Sequence, residues 1–132
     1  MTKEDEKLLL EDLGARMIHG VIVNTPNGNG YLGTINLTIF GHILGINIKS
    51  TKRENFPLDE CKPYLRPMSS MTEYESEEYR NIDNKSYSCP LAYAHIPASE
   101  RIDWLNRHHF DYRGLIPKDL AIEVTKENNP YA

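Results

Sequence analysis

Cysteine is scarce in this chain: Cys61 and Cys89 are the only two among 132 residues. Two are too few for a disulfide framework, so the sequence reads as a protein of a reducing compartment with free thiols. No apolar run reaches the roughly 18 residues that a membrane span needs. The opening Met1-Thr2-Lys3-Glu4-Asp5-Glu6 carries both charge signs and lacks the apolar core of a signal peptide. A cytoplasmic location with no membrane partner is therefore the expectation, and the sequons at Asn36 and Asn84 then carry no meaning. Basic excess is missing too: 15 Lys and Arg face 19 Asp and Glu, a formal charge of −4. That balance argues against a DNA-wrapping or polybasic membrane protein. Internal repeats, low-complexity tracts and interdomain linkers are absent from the sequence. With 39% apolar and 26% charged residues, what remains is one globular domain over residues 1–132, with a polar tail from about 125.

Several periodic segments are present. Thr2 has the chemistry of an N-cap, with Asp5 completing an imperfect capping box. Leu9, Leu10, Leu13 and Met17 recur at helical spacing, which predicts a helix over Lys3–Leu13, ended by Gly14 and laid on a sheet. The period then changes to two. Strands are expected over about Ile18–Val23, Gly33–Phe40 and Ile43–Lys49, with turns at Pro26–Gly30 and at Gly41-His42. Ser50–Asp59 reads as a polar loop, and Glu60–Pro67 as an extended edge segment, because Pro63 and Pro67 forbid a helix interior. Thr72 and Glu75 form a capping box opening a helix to about Ile82, whose four glutamates (Glu73, Glu75, Glu77, Glu78) read as a solvated face. Ser99 is expected to cap a helix through His109, with Ile102 and Leu105 inward and Trp104 at the border of that stripe. Pro117–Leu120 reads as a turn and Ala121–Val124 as a last strand. The predicted fold is α+β: an antiparallel meander of three to four strands, packed on one side by the N-terminal and C-terminal helices.

Motifs with chemical potential are few. Gly28-Asn29-Gly30-Tyr31-Leu32-Gly33 spells G-x-G-x-x-G, but a strand follows it where a dinucleotide fold needs a helix, so it reads as hairpin chemistry. No Walker A sequence and no paired C-x-x-C ligands occur. Each cysteine neighbours a proline in an extended segment, where nothing lowers a thiol pKa. The densest cluster is His108, His109 and Asp111, which keeps a small metal-dependent hydrolase or nuclease as an alternative. Adjacent helical residues point about 100° apart, however, so two neighbouring histidines rarely share one ion. Arg101, Arg107, His108, His109, Arg113 and Lys118 interleave with Trp104, Phe110 and Tyr112, a pattern compatible with base stacking and phosphate contact. Asp103 and Asp111 offset much of that charge, so nucleic-acid binding stays a second alternative. Trp, Tyr and Arg also dominate protein–protein hot spots.

Two phrases carry a resemblance. Lys62-Pro63-Tyr64-Leu65-Arg66-Pro67-Met68-Ser69-Ser70-Met71-Thr72-Glu73 and Ile102-Asp103-Trp104-Leu105-Asn106-Arg107-His108-His109-Phe110-Asp111-Tyr112-Arg113-Gly114-Leu115-Ile116 resemble stretches of small uncharacterised proteins of gut Bacteroidales and their phages and prophages. Lys7–Leu13 and the segment up to Val21 are similar as well. The resemblance implies a phage or mobile-element context and carries over no activity, cofactor or catalytic residue. The expected function is a non-enzymatic binding or regulatory protein whose partner is a host or phage protein. Its expected surface includes Trp104, Arg107, His108, Tyr112 and Arg113. The competing expectation is that Trp104, Phe110 and Tyr112 only lock the C-terminal helix to the sheet.

Overall fold

A computed structural model describes residues 1–49, 52–88 and 95–132. Helix α1 spans Lys3–Arg16, and Thr2 caps it by accepting the Asp5 amide on Oγ1 at 3.0 Å. It runs through Gly14, three residues past the expected end, because the left-handed residue that stops it is Gly20 (φ 72°), after a 3-10 turn at Met17–His19. Its buried face holds Leu9 and Leu13, as the periodicity required, and also Asp12 and Arg16.

Six strands follow: β1 (Ile22–Thr25), β2 (Gly28–Thr38), β3 (Gly41–Lys49), β4 (Lys52–Pro57), β5 (Lys62–Leu65) and β6 (Ile122–Glu123). They form one open sheet in the order β4-β3-β2-β1-β5-β6. The sheet is mixed, since β5 and β6 pair parallel and all other neighbours antiparallel. The expected meander is thus real but too small. The supposed loop Ser50–Asp59 contains β4, in which only Phe56 is buried, so no alternation announces it. Glu60–Pro67 contains β5, which is no edge: it lies between β1 and β6. Pro63, opposite Val23, is tolerated there although it brings no N–H to the ladder.

Both hairpins of the meander use the same turn. In Thr25-Pro26-Asn27-Gly28 the threonine Oγ1 donates to the Gly28 carbonyl (2.7 Å) and accepts the Asn27 amide (3.2 Å). In Thr38-Ile39-Phe40-Gly41 the matching distances are 2.9 and 3.1 Å. Each closes on a glycine with positive φ, 120° and 100°. The second Asn-Gly pair, Asn29-Gly30, lies inside β2 rather than in the turn.

Two hydrophobic clusters result. The larger packs α1 against one face of the sheet, through Leu9, Leu13, Val21, Val23, Leu32, Leu44, Ile46, Phe56 and Leu65, and is closed by Leu115 and Leu120. The second lies between α2 (Glu73–Ser88) and α3 (His95–Arg107), around Trp104, Leu105 and Phe110. The C-terminal helix therefore packs mainly on α2, not on the sheet as expected. It begins at His95, so Ser99 lies inside it and is not its cap, and it ends at Arg107. Ile102 is 39% exposed while Trp104 is 1% exposed, which reverses their expected roles. No helix among the described residues is long and apolar enough to cross a membrane.

Candidate functional site

The end of α3 is fixed by its own backbone. The His109 amide donates to the Asn106 carbonyl (3.2 Å) and the Phe110 amide to the Leu105 carbonyl (2.9 Å), with His109 left-handed at φ 64°. This is a Schellman cap with histidine at the position glycine usually takes, completed by contact between Leu105 and Phe110 in the second cluster. The cap then meets β5. The Arg66 amide donates to the His109 carbonyl and the Asp111 amide to the Arg66 carbonyl, both at 2.8 Å.

Arg66 ties this corner to α2. Its guanidinium lies over the Phe110 ring, 4.2 Å from the centroid, and forks onto Glu75 at 2.7 and 2.8 Å. Glu75 also completes the expected capping box: its amide donates to Thr72 Oγ1 (3.1 Å), and its Oε1 accepts the Thr72 amide (3.0 Å). The guanidinium bonds hold the Glu75 carboxyl down at about 2. Glu78 accepts the Trp104 indole N–H at 2.9 Å. Two of the four glutamates read as solvated are therefore structural.

Across the same corner, buried Arg16 of α1 pairs with buried Asp12 (2.8 Å) and donates through Nη2 to the Phe110 carbonyl. Arg113 reaches the other oxygen of Asp12 at 3.0 Å. Three stretches far apart in the sequence thus meet in space, through Asp12 and Arg16, through Arg66 and Glu75, and through Phe110–Arg113.

The expected site residues divide at this corner. Trp104 is internal, with its ring 5.6 Å from Phe110 and 4.3 Å from His108, so it presents no surface. Tyr112 donates to Asn106 Oδ1 at 2.9 Å, and Arg113 is held by Asp12. Arg107 faces solvent. His108 is half-buried, 3.7 Å from Glu75, and burial lowers its pKa despite that carboxylate. The His108–His109–Asp111 cluster does not converge. Asp111 uses both oxygens to accept the Leu115 and Ile116 amides at 2.9 Å. The His109 ring stacks on Tyr131 at 3.8 Å, and burial together with Arg16 lowers its pKa to about 4. Cys61 is buried, and burial beside Glu60 and Asp59 pushes its thiol up to about 12, which favours the protonated thiol over the thiolate. Cys89 lies outside the described residues.

A second feature was legible only in part. The β2–β3 hairpin overhangs the core, and its end exposes Leu37 (73%), Ile39 (93%) and Phe40 (86%). Of the expected alternation of Ile35, Leu37 and Ile39, only Ile35 packs against the core; Leu37 is exposed at the end of β2, and Ile39 lies in the turn beyond it. Beside Phe40, an open groove of about 330 Å³ is lined by Met1, Glu6, His42, Leu58 and Asp59. No family model, curated protein or solved structure matches the chain.

Proposed function

We propose that the chain is a non-enzymatic binding or regulatory protein of phage or mobile-element origin that acts through protein–protein contacts with a host or phage protein. The observation that carries this reading is the apolar tip Leu37, Ile39 and Phe40. Three large apolar side chains side by side on a protruding turn raise the cost of solvation and suit an anchor. The tip is preorganised, since the Thr38–Gly41 turn and the Leu37–His42 pairing fix its backbone before any partner arrives. Glu6 and Asp59 flank it, which favours a partner pocket that is apolar inside and basic at its rim. At the C-terminal corner, by contrast, Arg16, Arg66 and Arg113 are each matched to a carboxylate. This favours Trp104, Phe110 and Tyr112 as packing residues, against α2 rather than the sheet, and moves the proposed contact surface to the β2–β3 turn.

The double substitution Ile39→Asp with Phe40→Asp tests this. Both side chains are exposed, so the melting temperature is expected to stay within about 3 °C of the parent. Proteins retained by the parent from a Bacteroidales host lysate are expected to be lost from the variant column. An unchanged set of retained proteins on a folded variant refutes the tip as the anchor.

A further inference from the structure

The C-terminal segment is polar in sequence, yet Tyr131 is not a solvated residue. Strands β1 and β5 pair at Val23–Pro63 and Asn24–Lys62, so the next rung of that register is Ile22–Tyr64. The strands do not close this rung directly. The Tyr131 hydroxyl stands in it, accepting the Ile22 amide at 3.0 Å and donating to the Tyr64 carbonyl at 2.8 Å. Its ring stacks on His109 with a centroid separation of 3.8 Å and an interplanar angle of 9°. The walls of this slot belong to rigid elements: two paired strands, and the α3 cap that Arg66 holds through the His109 carbonyl. The segment that delivers the tyrosine is held lightly, because residues 125–129 are exposed and bonded mostly to each other.

We propose that the opening between β1 and β5 is a tyrosine-recognition site occupied in cis by Tyr131, and that a tyrosine-bearing peptide segment of a partner enters it by displacing the tail. The chemistry is selective. The slot needs one hydroxyl that accepts and donates at the same time. Phenylalanine does neither, and a phenolate or phosphotyrosine cannot donate to the Tyr64 carbonyl. Burial raises the Tyr131 pKa, which keeps the group in the neutral form the slot requires. Pro130, half-buried beside it, sits in a turn in which the Ala132 amide donates to the Asn129 carbonyl at 3.4 Å and the Tyr131 amide to Asn129 Oδ1 at 3.0 Å. Occupation in cis acts as a competitor at high effective concentration, so a partner peptide binds the intact chain more weakly than a chain with an emptied slot.

The test uses the full chain carrying Tyr131→Ala and a synthetic peptide of residues 125–132, read by the amide resonances of Ile22 and His109. Saturable shifts are expected, weakened at least tenfold for the peptide with phenylalanine at the tyrosine position and abolished for phosphotyrosine. The parent chain is expected to bind the same peptide at least tenfold more weakly than Tyr131→Ala. A folded Tyr131→Ala chain that leaves both resonances unmoved, or that takes the phenylalanine peptide equally well, overturns the proposal. Should Tyr131→Ala fail to fold, Tyr131→Phe keeps the stacked ring and removes both hydroxyl bonds. Peptide-induced shifts at Ile22 are then expected in that chain at lower peptide concentration than in the parent, and equal or absent shifts overturn the proposal.

Discussion

His109 combines three demands that no single alternative side chain meets. Its backbone is left-handed, a conformation that favours glycine and asparagine. Its ring stacks on Tyr131, and its carbonyl receives the Arg66 amide. Burial beside Arg16, Arg66, His108 and His19 lowers its pKa from the usual 6.5 to about 4. Between those values the unfolded chain binds the proton and the folded chain does not. Stability is therefore full above pH 6.5 and falls as the pH drops toward 4. Glu75, lowered from 4.5 to about 2, adds a second loss in the same direction, from pH 4.5 down to 2. His109→Asn retains the backbone preference and removes the titration. Denaturant melts across pH are expected to show a shallower decline between 6.5 and 4, with a remainder from His108, and an unchanged decline from Glu75 below about 4. A variant as acid-sensitive as the parent through the upper window contradicts this assignment.

At the scale of elements, two glycines make opposite predictions. Gly14 lies inside α1, in its last turn before the 3-10 turn, and a Cβ built there meets nothing within 4 Å. Gly14→Ala is expected to stabilise the protein by about 0.5–1 kcal/mol, the usual helix-interior difference. Gly30 pairs with Val23 in β2, and a Cβ there falls 2.6 Å from the Asn47 carbonyl oxygen and 2.7 Å from Ile46 Cγ2. Gly30→Ala forces backbone apart and is expected to cost about 1–3 kcal/mol. Thermal melts of the two variants should move in opposite directions. The same scale explains which elements could be read in advance. The α1 stripe and the Leu44–Ile46–Ile48 alternation each bury a face against a neighbour, and so leave a period in the sequence. Strand β4 leaves none. Apart from Phe56 it is polar, and it exists because Leu44 and Ile46 of β3 offer it a ladder.

For the whole molecule, the question is what joins two hydrophobic clusters into one body. The joint is polar: Asp12 with Arg16 and Arg113 on one side of Phe110, and Arg66 with Glu75 on the other. Asp12 and Arg16 are fully buried, and Arg16 Nη1 has no hydrogen-bond partner among the described residues. Such a pair adds little net stability, but removing one member leaves a charge stranded. Asp12→Ala is expected to cost about 3–5 kcal/mol in chemical denaturation. The double change Asp12→Leu with Arg16→Met is expected to recover most of that loss. If the double variant is no more stable than Asp12→Ala, the pair is holding the α1–Phe110 geometry itself and not merely neutralising charge.

The sequence by itself determined the elements whose cause is local. Thr2 and Thr72 cap their helices, the leucines of α1 face a sheet, β1, β2 and β3 form a meander, and Cys61 is a free thiol. It also held the spacing of Asp12 and Arg16, four apart on one helix face, although nothing local says that such a pair is buried. Tertiary structure decided the rest, because burial belongs to the partner surface and not to the residue. Trp104 became core because α2 lies over it, and Leu37 and Ile39 stayed outside because no helix extends that far. Arg66 became a hub because Glu75, nine residues on, and Phe110, far along the chain, reach it from different elements. Tyr131 left the polar tail because β1 and β5, far apart in the chain, diverge by one rung at the place where a hydroxyl fits.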